Sequence, residues 1–375
     1  MIRRLVIIVI AALAISCAST PTGSDPPDSN ENTRYSGREI GPSPVGSIPD
    51  VRLRDNDRNK DIELTIDYPT RGGPHPLILL SPGFGGSHRG YVGLSSYWAA
   101  NDYVVIRVNH GDRTANVQTA EDIWENATPT EWRNRVRDLT FVMDSLQTLT
   151  ERFPELAGKI DAAKIGVAGH SYGAHTAMLL GGVRTFPGAV SYADPRVKAV
   201  VVMSPQGPSD ARGLTRESWN ELRVPTLFMT GTADQGVTEA ETPEWRAEGF
   251  RLAPAGDKWL VSVLGAGHVT FSGGVAGIEQ IARERAQDER TGIPMNPDPD
   301  RLPGLPPSGA DVTRRSPQGS GRSPTEVLAV RQRDLFATIR GVALAFFDAY
   351  LREDAAGREA LEKTGERMNA TMERK

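Results

Sequence analysis

Short, almost wholly apolar runs recur along the middle of the chain: residues 75–80 (HPLILL), 103–108 (YVVIRV), 165–168 (IGVA), 197–203 (VKAVVVM), 224–229 (VPTLFM) and 259–264 (WLVSVL). Apolar side chains at both odd and even positions suit strands covered on both faces. Residues 61–68 (DIELTIDY) alternate instead, as a strand with one wet face should. Helical signals lie between and after these runs. Residues 91–100 read as a helix, and in 131–149 the residues Trp132, Val136, Leu139, Met143 and Leu146 fall on one helical stripe. Residues 327–351 form a long amphipathic helix that should pack on the sheet. Strands alternating with helices predict an α/β domain with a mostly parallel sheet and helices on both faces. Ligands of such sheets bind at the carboxyl ends of the strands.

The sharpest pattern is at residues 164–180 (KIGVAGHSYGAHTAMLL). A strand enters Gly169-His170-Ser171-Tyr172-Gly173 and a helix-forming segment leaves it. A serine at the apex of a strand, turn and helix must adopt a strained backbone, and glycines two residues to either side let strand and helix pass without a Cβ clash. Ser171 is therefore the candidate nucleophile.

A serine hydroxyl needs a base to take its proton, and the base needs an orienting carboxylate. With a nucleophile on this kind of elbow the partners follow in the order Ser, Asp or Glu, His. Asp234 sits in a Gly-containing turn directly after the 224–229 strand, with Glu239 and Glu241 as weaker substitutes. Of the six histidines only His268 comes after the acid, in a loop opened by Gly265-Ala266-Gly267. His170 and His175, five apart, do not share a helix face, so a metal is not expected. Two N–H donors should meet the developing oxyanion. One is Tyr172, next to the nucleophile; the other comes from the Gly83-Phe84-Gly85-Gly86 loop, with Phe84 preferred and Gly83 or Gly85 as neighbours. Gly85, His110 and Phe271 are candidates for the substrate pocket.

The ends of the chain have a different character. A basic start (Arg3, Arg4) and an apolar run over 5–15 read as a signal peptide, residues 1–16, too short to span a bilayer. Ala14-Ile15-Ser16-Cys17 resembles the lipobox of bacterial lipoproteins, which implies cleavage before Cys17 and its acylation. The expected location is extracytoplasmic, through an N-terminal lipid anchor in a membrane; the alternative is a secreted protein. Residues 17–49 are Ser, Thr, Pro, Gly and Asp rich and read as a flexible tether, with the catalytic domain over 50–352. Residues 291–324, crowded with proline and glycine, read as a surface insertion, and 353–375 as a charged, frayed helical tail. The single cysteine rules out an intrachain disulfide. A net charge of -4 gives no basic footprint, so nucleic acid is not an expected partner.

The stretches SPGFGGSHRGY, YVVIRVNHGD, KIGVAGHSYGAHTA, DPRVKAVVVMSPQGP, VPTLFMTGTADQG and LGAGHVTFSG resemble the α/β-hydrolase superfamily. The likeness is to predicted dienelactone hydrolases and to esterases similar to platelet-activating-factor acetylhydrolase. True dienelactone hydrolases carry a cysteine nucleophile where this chain has Ser171, which argues against dienelactone as substrate. The resemblance implies a serine esterase of small or lipid-like esters, without cofactor. Bacterial polyester hydrolases share a similar PGF loop and GHS elbow, so a polymeric ester fits too. An acyltransferase on the same site, or a non-catalytic surface protein using the fold for binding, are the competing expectations.

Overall fold

The computed structural model describes residues 34–38, 41–114, 127–186, 188–236, 238–273 and 324–375. The signal peptide, Cys17, the first half of the tether and nearly all of the 291–324 insertion lie outside the described residues.

Among the described residues, nine strands form one sheet: β1 (Val45–Asp55), β2 (Lys60–Pro69), β3 (His75–Ser81), β4 (Val104–Val108), β5 (Ile160–His170), β6 (Val197–Met203), β7 (Thr226–Ala233), β8 (Lys258–Gly267) and β9 (Ala370–Arg374). Their spatial order is β1-β2-β4-β3-β5-β6-β7-β8-β9. The strands from β4 to β8 run parallel, and β1, β2 and β9 close the two edges antiparallel. The apolar runs occupy the parallel centre because each of its strands feeds two cores. Leu77 and Leu79 of β3 join one cluster, and Ile78 and Leu80 join the other.

The first cluster is completed by α2 (Pro129–Asp144), α3 (Leu146–Arg152), α4 (Tyr172–Gly181) and α5 (Pro243–Leu252). The second is completed by α1 (Val92–Ala100), α6 (Pro324–Leu351) and α7 (Ala355–Glu362). The predicted stripe of 131–149 is real, but the helix is broken at Ser145, whose hydroxyl donates to the carbonyl of Phe141 at 2.8 Å. Such back-bonding by serine competes with the helical ladder.

Two expectations are corrected. The tether does not run to residue 49: β1 begins at Val45, with Val51 and Leu53 buried. Nor is 353–375 a frayed tail. It forms α7, a short helix (Thr364–Arg367) and β9, which pairs with β8 from Trp259 opposite Arg374 to Val263 opposite Ala370.

Ahead of β1, a strap at residues 34–37 is fastened to α6. The guanidinium of Arg34 and the hydroxyl of Tyr35 both reach the fully buried Asp348, at 2.9 and 3.0 Å. Tyr103, directly before β4, donates to the same carboxylate at 2.7 Å, so the strap docks at the amino ends of the parallel strands.

Candidate active site

At the opposite ends of the strands, β5 runs into α4 through Ser171, whose φ of 54° and ψ of −121° leave the allowed regions for an L-residue. The sequence folds this way because both flanking positions are glycine. A Cβ on Gly169 would overlap the carbonyl of Gly173, and a Cβ on Gly173 would overlap that of Ser81. The turn is pinned by the Ser171 N–H, which donates to the Met203 carbonyl at 3.0 Å. Ser171 does not cap α4 with its side chain, so the hydroxyl is left for other partners.

Its partner is His268. Nε2 of His268 lies 3.0 Å from Ser171 Oγ, and Nδ1 lies 3.2 Å from Asp234 Oδ1. Ser171, Asp234 and His268, 97 residues apart at most, are brought together by the carboxyl ends of β5, β7 and β8. Nδ1 faces oxygen acceptors and so carries the proton, which leaves Nε2 to accept from Ser171. The His268 side chain is 26% exposed while Asp234 is fully buried. Burial alone would raise the Asp234 pKa. The charge of Arg246 and hydrogen bonds from His268 and Ser204 outweigh it, holding the carboxyl below its usual value.

Two of these partners were not read from the sequence. Ser204, at φ 52° just past β6, donates to Asp234 Oδ1 at 2.8 Å and lies 2.6 Å from His268 Nδ1, nearer than the carboxylate itself. Arg246 of α5 is buried, with Nε 3.0 Å from Asp234 Oδ1 and Nη1 donating to the carbonyls of Ser204 and Pro205. The signal for Ser204 was available, a polar residue closing an apolar strand at the same edge as Ser171. Arg246 carries no signal, since arginines on amphipathic helices are ordinarily solvated.

The Phe84 loop sits beside the elbow: a Cβ on Gly83 would lie 3.5 Å from Ser171 Cβ, and the rings of Phe84 and Tyr172 are 5.8 Å apart. The Gly83 N–H donates to the Tyr91 hydroxyl at 3.0 Å and the Gly85 N–H to Asp112 Oδ2 at 2.9 Å. Among the described residues the Phe84 N–H has no hydrogen bond, and the Tyr172 N–H is in the first turn of α4, where helical partners are lacking. The loop is braced from below. Arg135 of α2 holds Asp112 at 2.7 Å and also donates to the carbonyl of Pro82.

Two pocket candidates have buried side chains. His110 is buried between Ser81 Oγ and Asp138 Oδ2, each 2.9 Å away. This second Ser-His-Asp arrangement is closed to substrate, because Ser81 and Asp138 are fully buried and Asp138 is shared with Arg58 and Lys60. Burial lowers the His110 pKa to about 4, so the ring stays neutral and structural. Phe271 is also fully buried and stacks on His170 with centroids 6.3 Å apart, backing the elbow. Gly85 is half-buried at the loop, with its amide committed to Asp112. Among the described residues no cluster of three or more His, Cys, Asp or Glu is placed to hold a metal ion.

Comparison with known proteins agrees with this architecture. The chain is 25% identical over 206 residues to cutinase est2 of Thermobifida alba, covering 54% of this chain and 56% of the relative. It is 25% identical over 170 residues to cutinase est1 of the same organism, covering 45% and 46% respectively. It is 23% identical to cutinase 2 of Thermobifida cellulosilytica over 45% of this chain and 52% of that one. The chain thus spans about half the length of the curated relatives it matches. The sequence profile of the alpha/beta hydrolase family matches residues 77–369, from within β3 to the residue before the last strand, and with the mostly parallel sheet it establishes that this chain belongs to that family.

Proposed function

We propose that this chain is a serine carboxylic-ester hydrolase working through an acyl-enzyme. The observation that carries the reading is the 3.0 Å approach of Ser171 Oγ to His268 Nε2, with Asp234 on the far side of the ring. His268 takes the Ser171 proton as Oγ bonds to the ester carbonyl carbon. The tetrahedral oxyanion accepts hydrogen bonds from the N–H groups of Phe84 and Tyr172. His268 returns the proton to the leaving alcohol as the C–O bond breaks. Water, deprotonated by His268, then attacks the acyl-serine, and collapse of the second intermediate releases the acid and restores Ser171. Asp234 keeps the ring oriented and stabilises the imidazolium formed in each half-reaction. The chemistry needs no cofactor. The likeness to cutinases supports an ester as the substrate class, polymeric or small.

Incubation with a fluorophosphonate should label the folded protein, with the adduct mapped to Ser171 by peptide mass spectrometry. A folded sample that stays unlabelled would refute the reading. Rates on p-nitrophenyl esters from acetate to palmitate would then set the acyl length the site accepts.

The lipobox supports a second part of the proposal, that acylated Cys17 anchors the protein to a membrane outside the cytoplasm. No described helix is long and apolar enough to cross a membrane. Cys17→Ser should move the protein from the membrane fraction to the soluble one; unchanged membrane association would overturn the anchor.

A further inference from the structure

His170 fills the variable position of the elbow, and its ring is buried between two loops. Nε2 lies 3.0 Å from the carbonyl oxygen of His268. A carbonyl only accepts, so Nε2 carries the proton and Nδ1 is left as an acceptor. The Tyr91 hydroxyl, 2.8 Å from Nδ1, donates to it and in turn accepts from the Gly83 N–H at 3.0 Å. Every donor and acceptor in this row is assigned by its neighbour. The row runs from the backbone of the Phe84 loop, through Tyr91 and His170, to the backbone of His268.

The surroundings favour this one arrangement. Desolvation, followed by the neighbouring His268, drives the His170 pKa down to about 3, so the ring stays neutral. A charged ring would donate from both nitrogens and could not accept from the Tyr91 hydroxyl. Tyr91 is itself held in the left-handed region at φ 62°, where its carbonyl accepts from the N–H groups of Leu94 and Ser95 at the start of α1. The His170 ring is packed against those of His268, with centroids 4.9 Å apart, and Phe271.

We propose that Tyr91 and His170 are positioning residues which clamp the Gly83-Phe84 loop to the His268 loop across the elbow, fixing the spacing between oxyanion donor and base. This rests on the esterase reading above. Pro82 and Gly85 are tied to Arg135 and Asp112 from below, so the Tyr91 bond at Gly83 ties the loop to the elbow side. Ester binding in the ground state does not depend on that spacing, whereas the transition state does, and a displacement of about 1 Å in such a donor can cost about 100-fold in rate.

The test is the kinetics of Tyr91→Phe, His170→Gln and their double variant on p-nitrophenyl butyrate, with thermal melts to confirm folding. A glutamine amide reaches the Nε2 position and keeps the bond to the His268 carbonyl, but it gives Tyr91 no acceptor at the Nδ1 position. Both single variants should therefore lower kcat about tenfold with KM within about twofold. The double variant should be no slower than either single, because both cut the same link. If Tyr91→Phe does not fold, His170→Gln alone carries the test by the same split between kcat and KM. A kcat within twofold of wild type, a change confined to KM, or losses that multiply in the double variant would each overturn the clamp. Wild type that neither turns over ester nor takes a fluorophosphonate would sink the esterase reading itself, a result distinct from an active wild type whose variants are unchanged.

Discussion

Ester turnover by the Ser171→Ala variant should fall by about 10^4-fold or more, with the fold intact. The magnitude follows from the absence of a substitute. Removing Oγ deletes the one hydroxyl among the described residues that is hydrogen-bonded to His268 Nε2; the other nearby serine, Ser204, is on the Nδ1 side of the ring. What survives would be the oxyanion donors acting on attack by water, a small residue of the full effect. Folding should tolerate the change, because the Ser171 side chain caps nothing and the turn is held by backbone bonds from Ser171 N–H to Met203 and from Ala174 N–H to Ser171. Substrate KM and the thermal melt should stay close to wild type. Activity above about 1% of wild type in a sample free of contaminating esterase would remove Ser171 from the nucleophile's role.

Asp234→Asn should produce the second largest loss, and it should act through charge more than through geometry. Two donors, Ser204 Oγ and His268 Nδ1, converge on Oδ1, and Arg246 Nε, 3.0 Å from the same oxygen, donates to the Asp234 main-chain carbonyl. Only an oxygen suits that position, so an asparagine will place its amide nitrogen at the Oδ2 side, where the Thr230 hydroxyl at 3.0 Å can turn to accept. The tautomer of His268 is then kept while the imidazolium loses its counter-charge next to a buried arginine. A fall in kcat of about 10^3-fold is expected. Ser204→Ala should cost only about tenfold, since the Nδ1 proton can then turn wholly to the carboxylate.

Asp234→Asn should also destabilise the fold by about 3 kcal/mol, the lower end for stranding one member of a buried ion pair, because Glu241 remains 3.7 Å from Arg246. The pH dependence has a definite sign. The folded Asp234 pKa is depressed, so its contribution is present above the unfolded carboxylate value of about 4 and is lost as pH falls through the lower folded value. Melts taken from neutral pH down to about pH 3 should show that acid loss in wild type and a flatter curve in the variant. Parallel curves would mean that Asp234 is not the carboxylate that Arg246 holds.

The centre of the fold was legible because its physics is local. β3, β4 and β6 are apolar on both faces, and β6 was bounded at Val197 and Met203 from the sequence alone. The edges were not legible. β9 (ATMER) has mostly exposed side chains and exists through backbone pairing with β8, which composition does not encode. β1 hides its alternation behind Pro49 in a stretch otherwise suited to a linker. At the site, the order Ser171, Asp234, His268 located residues that the sheet brings together. Ser204, Arg246 and the Tyr91–His170 link became visible only where loops from separate strands meet. The partner of His110 was not legible, because lying just past the end of a strand does not tell which way a ring turns, and this one turns towards Asp138 of α2.

The strap at Arg34 and Tyr35 gives the molecule a polarity. The strap joins the body where β4 begins, whereas Ser171 stands where β5 ends, so the two occupy opposite ends of the parallel strands. Whatever holds the chain at the strap therefore leaves the Ser171 end of the sheet facing away from it.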